Sequence, residues 1–298
     1  MHVKFSIILP TYNCNYLENA IDSVINQNYK NWELIVIDNN STNDVYNIIK
    51  NKRNKKIKYF KINNNGVIGK SRNFGVKKSK YPWIAFLGSD DLWYKEKLTE
   101  IKKKINSRKY DFYYHNMHIK DKAKRYKNKK LYNYSQKNIN IKFDDLIVNG
   151  NDIIQSSVVV KKKFLSKIGY ISEKKTIISW EDFDTWLRIS KITNKFCLIN
   201  KCLGKYHISD DKKKKHSRFI SNIKHFKKKY KSSINQIMNK YNLKKIWWIE
   251  YALALESYNK KKYKIAKKKF NQLKIKDQRM NLNITFVKFK IFFKEFFN

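Results

Sequence analysis

Two adjacent carboxylates, Asp90 and Asp91, follow the apolar run 83–87 (Trp-Ile-Ala-Phe-Leu) across only Gly88 and Ser89. Such a run reads as a strand buried on both faces, so the acids fall where the chain leaves a sheet. Paired carboxylates at that point suit a hard divalent cation, which prefers oxygen ligands and bridges to a diphosphate. An isolated Ser-Asp-Asp equally suits a turn that caps the next helix. Other polar groups repeat the pattern. Asp38 and Asn39 end the apolar run 33–37, and Thr11-Tyr12-Asn13 follows the run 3–9 and Pro10. Glu181 and Asp182 open the stretch 180–191, where Phe183, Trp186, Leu187 and Ile189 have helical spacing.

One sheet edge is needed to bring these groups together. Over the first 95 residues the pattern predicts strands at 3–9, 33–37, 57–60 and 83–87, alternating with helices at 16–28, 44–50 and 69–79. That β-α-β alternation implies a parallel, doubly wound α/β sheet. Parallel strands place their carboxyl ends along one edge, where ligands collect. Further strands are predicted at 110–118, 153–160 and 196–200, with a short helix at 164–168 and a Lys- and Asn-rich loop at 119–140. After about residue 210 the pattern becomes helical and basic. An amphipathic helix is predicted over 223–241, a more apolar one over 247–258 and a basic one over 263–273. The stretch 284–297 interleaves six Phe with Lys288, Lys290 and Lys294.

The 298 residues are enough for one large domain and an appendage. Lys and Arg total 67 against 24 Asp and Glu, a net charge of +43 that attracts polyanions: nucleic acid, anionic lipid or phosphorylated substrates. No helix-turn-helix, zinc-finger or RNA-recognition signature accompanies the charge, so a nucleic-acid partner is not expected. Lys, Asn and Ile also share AT-rich codons, which explains part of it. Cys14, Cys197 and Cys202 lack disulfide or metal spacing and suit a reducing cytoplasm. No signal peptide is read at the N-terminus. No run of 18 apolar residues occurs, so no membrane span is expected.

Six segments in register resemble the family 2 glycosyltransferases, enzymes of the GT-A fold, over about residues 3–208. They are Phe5-Ser-Ile-Ile-Leu-Pro-Thr-Tyr-Asn13, Ala20-Ile-Asp-Ser-Val-Ile-Asn-Gln27 and Trp32-Glu-Leu-Ile-Val-Ile-Asp38, then Gly69-Lys-Ser-Arg-Asn-Phe-Gly75, Ser89-Asp90-Asp91 and Glu181-Asp-Phe-Asp-Thr-Trp-Leu-Arg188. The resemblance implies a GT-A domain at 1–210, with a nucleotide-sugar half at 1–95 and an acceptor half at 96–210, and a helical C-terminal region at 211–298. It implies inverting transfer of one sugar from a nucleotide diphosphate donor, expected to be a UDP-sugar. The acceptor would be a hydroxyl on a glycan or lipid-linked glycan such as lipooligosaccharide or capsule.

Roles follow residue by residue from that resemblance. Asp90 matches the last Asp of the family's metal motif and would ligate Mn²⁺ or Mg²⁺ on the diphosphate. Asp91 would support the metal or cap the following helix, and His207 is a further metal or diphosphate candidate. Asp182 matches the catalytic base, with Glu181 beside it as an acceptor-binding or supporting group. Pro10, Thr11, Tyr12, Asn13, Asp38, Asn39, Arg72 and Ser89 match the nucleotide-sugar side. Two positions depart from the pattern: Asn39 replaces a second Asp near the base, and Gly88 replaces the first Asp of the metal motif. An Asn amide still offers uracil both an acceptor and a donor. Arg72 suits either a phosphate or a cleft carboxylate. A glycan-binding protein without turnover on the same fold is the alternative, and intact Asp90 and Asp182 argue against it. The C-terminal region keeps three readings: a packed helical subdomain, peripheral binding to an anionic bilayer, and homodimer formation.

Overall fold

The computed structural model describes residues 2–107, 109–121, 141–208 and 212–273. The loop read at 119–140 falls mostly outside them, and the Phe-rich stretch 284–297 falls wholly outside. Strands β1 (Phe5–Thr11), β2 (Trp32–Asp38), β3 (Ile57–Lys61), β4 (Trp83–Phe86), β5 (Leu92–Trp93), β6 (Phe112–Asp121), β7 (Val159–Lys161) and β8 (Phe196–Ile208) form one sheet. Their order is β3-β2-β1-β4-β7-β6-β8-β5. The first four strands are mutually parallel, as the alternation requires. Strand β7 runs antiparallel to β4 and β6, and β5 antiparallel to β8. The result is a mixed α/β sheet flanked by helices.

Strands β1 and β2 are buried at every residue because helices cover both faces. The helix Leu17–Ile25 turns Leu17, Ala20, Ile21 and Val24 into the cluster that holds Ile7, Leu9 and Val36. The helix Ile68–Lys78 covers the other face at Gly75. A Cβ there would stand 2.7 Å from Ile37 Cδ1 and 2.8 Å from Ile8 Cγ2, so only glycine permits this approach. Pro10 does not stop β1, which runs to Thr11. Ile8 accepts from Leu87 N at 3.0 Å, so residues 8 and 10 point their backbone groups toward β4. Strand β4 ends at Phe86, opposite Ile8, and the N–H that Pro10 lacks has no ladder to serve.

Three sequence expectations change. The strand read at 153–160 is instead a 3-10 turn, Gln155–Ser157, followed by the short β7. Ser157 closes that turn by donating its N–H (2.9 Å) and its hydroxyl (2.6 Å) to the Ile154 carbonyl, the kind of local bond with which serines compete against a ladder. Strand β8 continues past Asn200 because β6 and β5 pair with its polar half. The single helix read at 223–241 is two, Lys212–Lys229 and Lys231–Lys240, separated at Tyr230.

The chain divides into two compact units. The first comprises residues 1–143 and 151–210 and holds the sheet. The second comprises 144–150 and 211–298; its described helices include Trp247–Asn259 and Tyr263–Asn271. Within it Trp248 is buried, packs at a tilt against Phe226 (centroids 5.2 Å apart) and donates to the Ile147 carbonyl at 3.0 Å. Ala254, Ala266 and Phe270 form a second small core, and lysines cover the outside. Among the described residues no helix is long and apolar enough to cross a membrane.

Candidate functional site

The carboxyl edge of the parallel strands carries a turn, residues 88–91, whose backbone is held at every position. Gly88 donates to Ser156 Oγ at 2.9 Å, and Asp91 N donates to the Gly88 carbonyl at 3.1 Å. The Ser89 carbonyl accepts from Cys14 Sγ at 3.2 Å. The Asp90 carbonyl faces His207 Nδ1. A carbonyl only accepts, so in the neutral imidazole Nδ1 carries the proton and the lone pair lies on Nε2. Tyr16 stacks on that ring, with centroids 5.1 Å apart.

Asp91, expected among the metal ligands, points into the protein instead. It is 3% exposed; one oxygen accepts from Ser156 Oγ and the other from His207 N at 3.0 Å. Burial, then the charge of Asp90, pushes its carboxyl up to about 7. Asp91 therefore ties the turn to β8 and to the 3-10 turn, with both oxygens accepting from protein donors. The Asp90 carboxylate makes no hydrogen bond or ion pair among the described residues. Gly88 lies beneath both: a Cβ there would sit 3.0 Å from Asp90 Oδ1 and 3.0 Å from Asp91 Oδ2.

At the end of β2, Asp38 is buried and accepts from Ser41 N and Tyr59 OH, each at 2.9 Å. Burial and the adjacent Asp38 carboxylate push the Tyr59 phenol up to about 12. Asn39 Oδ1 accepts from Asn64 N at 2.7 Å, which fixes the turn leading into the helix Ile68–Lys78. Asn13 takes a left-handed backbone (φ 45°), tolerated by Asn, and its Oδ1 accepts from Thr42 N and Oγ1. Thr11 Oγ1 is buried without a partner, and the Tyr12 ring is 61% exposed beside it. Asp38, Asn39 and Asn13 thus shape two loops at one edge, leaving Thr11 and Tyr12 as side chains with unspent capacity.

The helix Glu181–Ser190 starts with both acids of its sequence signature. Arg72 Nη1 reaches Glu181 Oε1 at 2.5 Å, and both side chains are largely buried. Of the two partners open to Arg72, the structure supplies the carboxylate. Glu181 Oε2 has no partner. Asp182 accepts from Phe183 N at 2.7 Å and more loosely from Asn151 Nδ2 at 3.4 Å. Burial, reinforced by Glu181 and opposed by Arg72, pushes the Asp182 carboxyl up to about 7.

Tyr206 on β8 joins the two acid pairs. Its phenol is pushed well above the ordinary range by burial and then by Asp91, Asp182 and Asp90, with Arg72 opposing. All four charged groups therefore bear on one hydroxyl. Sequence reasoning missed Tyr206, Ser156, Lys97, Tyr59 and Asn151. Tyr59 and Ser156 lie within predicted strands whose pattern says nothing of a site, the others lie outside any charged signature, and each acts through a contact distant along the chain.

Among the described residues no group of three or more His, Cys, Asp or Glu is placed to hold a metal. Of the carboxylates in the two acid pairs, Asp90 is the one that makes no hydrogen bond or ion pair among the described residues. A single carboxylate suits Mn²⁺ or Mg²⁺ only when a ligand completes the oxygen set, as a donor diphosphate does.

The family described as glycosyl transferase family 2 matches residues 6–169. The chain is 30% identical over 234 residues to an uncharacterized glycosyltransferase of Methanocaldococcus jannaschii, covering 74% of each. It is 35% identical over 115 residues to the Escherichia coli UDP-Glc:alpha-D-GlcNAc-diphosphoundecaprenol beta-1,3-glucosyltransferase WfaP, 38% of this chain and 46% of that one. Matches to longer rickettsial glycosyltransferases span 97 residues, only 14% to 16% of their length. Among solved structures, S. aureus TarS 1-349 in complex with UDP-GlcNAc has the same fold: TM-score 0.61, 19% identity, 85% of this chain and 71% of that chain.

Proposed function

The chain belongs to glycosyl transferase family 2, and on that premise we propose that it transfers a single sugar, with inversion, from a UDP-sugar to a hydroxyl of a glycan or lipid-linked glycan. The observation that carries this reading is geometric: Arg72, on the helix that leads into β4 and Asp90, pairs with Glu181 beside Asp182 at 2.5 Å. A diphosphate held at Asp90 leaves the anomeric carbon within the same cleft as the base.

Asp182 takes the proton of the acceptor hydroxyl. The acceptor oxygen forms the new bond to the anomeric carbon, the bond to the diphosphate oxygen breaks, and its electron pair leaves with the nucleotide. A carboxyl raised to about 7 suits this task, because a base works best near the operating pH. Asp90 would hold a divalent cation on the diphosphate, with His207 a further candidate beside it; when bound, that cation neutralises the charge of the leaving group. Thr11 Oγ1 and the exposed Tyr12 ring are offered to the nucleotide, with Asp38, Asn39 and Asn13 fixing their loops.

The UDP assignment is supported by the TarS complex with UDP-GlcNAc and by the name of WfaP, whose printed acceptor is a diphosphoundecaprenol-linked sugar. We assign a similar lipid-linked surface-glycan precursor to this chain, at the cytoplasmic membrane face. The lysine-covered second unit suits an anionic bilayer there. Co-sedimentation with vesicles of anionic and of neutral lipid tests that part, and equal recovery from both would remove it.

The central test is calorimetric titration with UDP, GDP and CMP, with and without Mn²⁺. Manganese-dependent binding of UDP alone is expected, and Asp90→Ala should abolish the manganese-dependent part. Binding of GDP or CMP in preference to UDP would overturn the donor, and unchanged UDP binding in chelator would overturn the cation.

A further inference from the structure

Lys97, the first residue of the helix Lys97–Asn106, is fully buried. Two forces oppose an ammonium there. Burial disfavours the charge and pushes the group well below its ordinary range. A helix N-terminus also carries partial positive charge, so a cation stands at the wrong end. A residue retained against both has a compensating set of contacts. Its Nζ donates to the Ser156 carbonyl at 2.7 Å and lies 3.4 Å from the centroid of the Trp93 ring, a cation–π contact. Trp93 Nε1 donates to the same carbonyl at 2.8 Å. The Asp91 carboxylate is the opposing charge.

Ser156 passes this anchorage to the turn. Its carbonyl is held by Lys97 and Trp93, while its hydroxyl accepts from Gly88 N and donates to Asp91. Asp91 in turn accepts from His207 N. Every link starts in the buried layer beneath the cleft and ends on a residue flanking Asp90.

We infer that Lys97 is a positioning residue: through Ser156 and Asp91 it fixes the 88–91 turn and the start of the His207 contact, so that the Asp90 carboxylate is presented to the donor in one orientation. This rests on the proposed role of Asp90 at the diphosphate. A Lys that merely filled the core would be replaceable by an apolar side chain of similar length without loosening that turn.

The test is residue-resolved amide hydrogen exchange on the full chain, comparing wild type with Lys97→Met and Lys97→Gln. The amides of Gly88 and His207 report the network, and the amide of Asn39, donated to the Thr11 carbonyl at 2.9 Å, is the control. Lys97→Met should speed exchange at Gly88 and His207 by about tenfold with Asn39 unchanged, a local opening. Lys97→Gln, which keeps a donor for the Ser156 carbonyl, should show a smaller increase at the same two amides. Wild-type exchange at Gly88 and His207, or equal acceleration at Asn39, overturns the inference. Should Lys97→Met fail to fold, Lys97→Gln decides by the same criteria. In the same samples, the Mn²⁺ concentration that half-saturates UDP binding should rise in the variants. If wild type binds no UDP with Mn²⁺, the donor reading fails, while the exchange comparison still decides whether Lys97 holds the turn.

Discussion

Two pairs of neighbouring acids stand at the cleft, and each pair divides its labour in the opposite order. In Asp90-Asp91 the second acid is the anchor and the first is uncommitted. In Glu181-Asp182 the first acid is tied to Arg72 and the second has one oxygen only loosely held. The anchors also differ in kind. Asp91 is satisfied at both oxygens by neutral donors, Ser156 Oγ and His207 N. Glu181 is satisfied at one oxygen by a cation, and its other oxygen has no partner. An anchor bonded at both oxygens by neutral donors fixes position. An ion pair with spare capacity sets the local potential, because removing either charge changes what Asp182 feels. The proposed cation side of the site is thus built for geometry and the proposed base side for proton affinity.

The largest expected effect comes from Asp182→Asn. Transfer should fall by at least about 10³-fold, the upper range for loss of a general base, with UDP binding retained. Stability should move the other way. The folded state raises the Asp182 carboxyl from 3.8 to about 7, so it binds the proton more tightly than the unfolded chain. The fold is therefore favoured most below the ordinary carboxylate range and loses stability as pH rises from about 4 to 7. Removing the acid should raise Tm at pH 8 and change it little at pH 3.5. Near-wild-type transfer by Asp182→Asn would break the comparison, because the loosely held acid would then have no proton to take.

A smaller effect is expected from the ion pair. Arg72 lowers the Asp182 carboxyl and Glu181 raises it. Arg72→Met should move the acid limb of the kcat/KM profile to higher pH, and Glu181→Gln should move it to lower pH. At pH 7 Arg72→Met should lose about tenfold in kcat/KM from the protonated base alone. The double variant, with neither charge, should bring the limb back toward wild type. Identical profiles in all three would reduce Glu181 and Arg72 to packing and remove the contrast with Asp91.

The parallel half of the sheet was legible because its strands are buried on both faces and write themselves as unbroken apolar runs, as in Ile7 to Leu9 and Leu34 to Ile37. The runs 33–37 and 83–87 likewise located Asp38, the last residue of β2, and Asp90, which follows β4 by four residues. Strand β8 was half legible: its polar continuation through Lys205 and His207 is held by pairing with β6 and β5, which leaves no apolar period. The strand read at 153–160 failed because Ser156 and Ser157 spend their hydroxyls on long-range and local bonds within the chain. Lys97 reads as an ordinary surface residue until Trp93 and Ser156 are seen around it. Which member of each acid pair turns inward is set by partners such as Ser156 and Arg72, more than 60 residues away from Asp91 and more than 100 from Glu181. No spacing rule within the pair carries that information.

Gly88→Ala should have the smallest effect, yet it separates the two members of the first pair most directly. The added Cβ would stand 3.0 Å from Asp90 Oδ1, 3.0 Å from Asp91 Oδ2 and 3.4 Å from Ser156 Oγ. The first two contacts are too tight to keep, so one of the acids must shift by a few tenths of an ångström. Asp91 is held at both oxygens and Asp90 at neither, so the least costly motion is that of Asp90. The backbone there needs no left-handed conformation, since Gly88 is not among the positive-φ residues, and the turn itself should survive. The expected outcome is a few-fold weaker manganese-dependent UDP binding, with Tm and the exchange of the His207 amide close to wild type, in keeping with a sub-ångström displacement of a binding group. The opposite pattern, unchanged binding with a lowered Tm and faster His207 exchange, would mean that Asp91 yields first. The assignment of anchor and free carboxylate in this pair would then have to be exchanged.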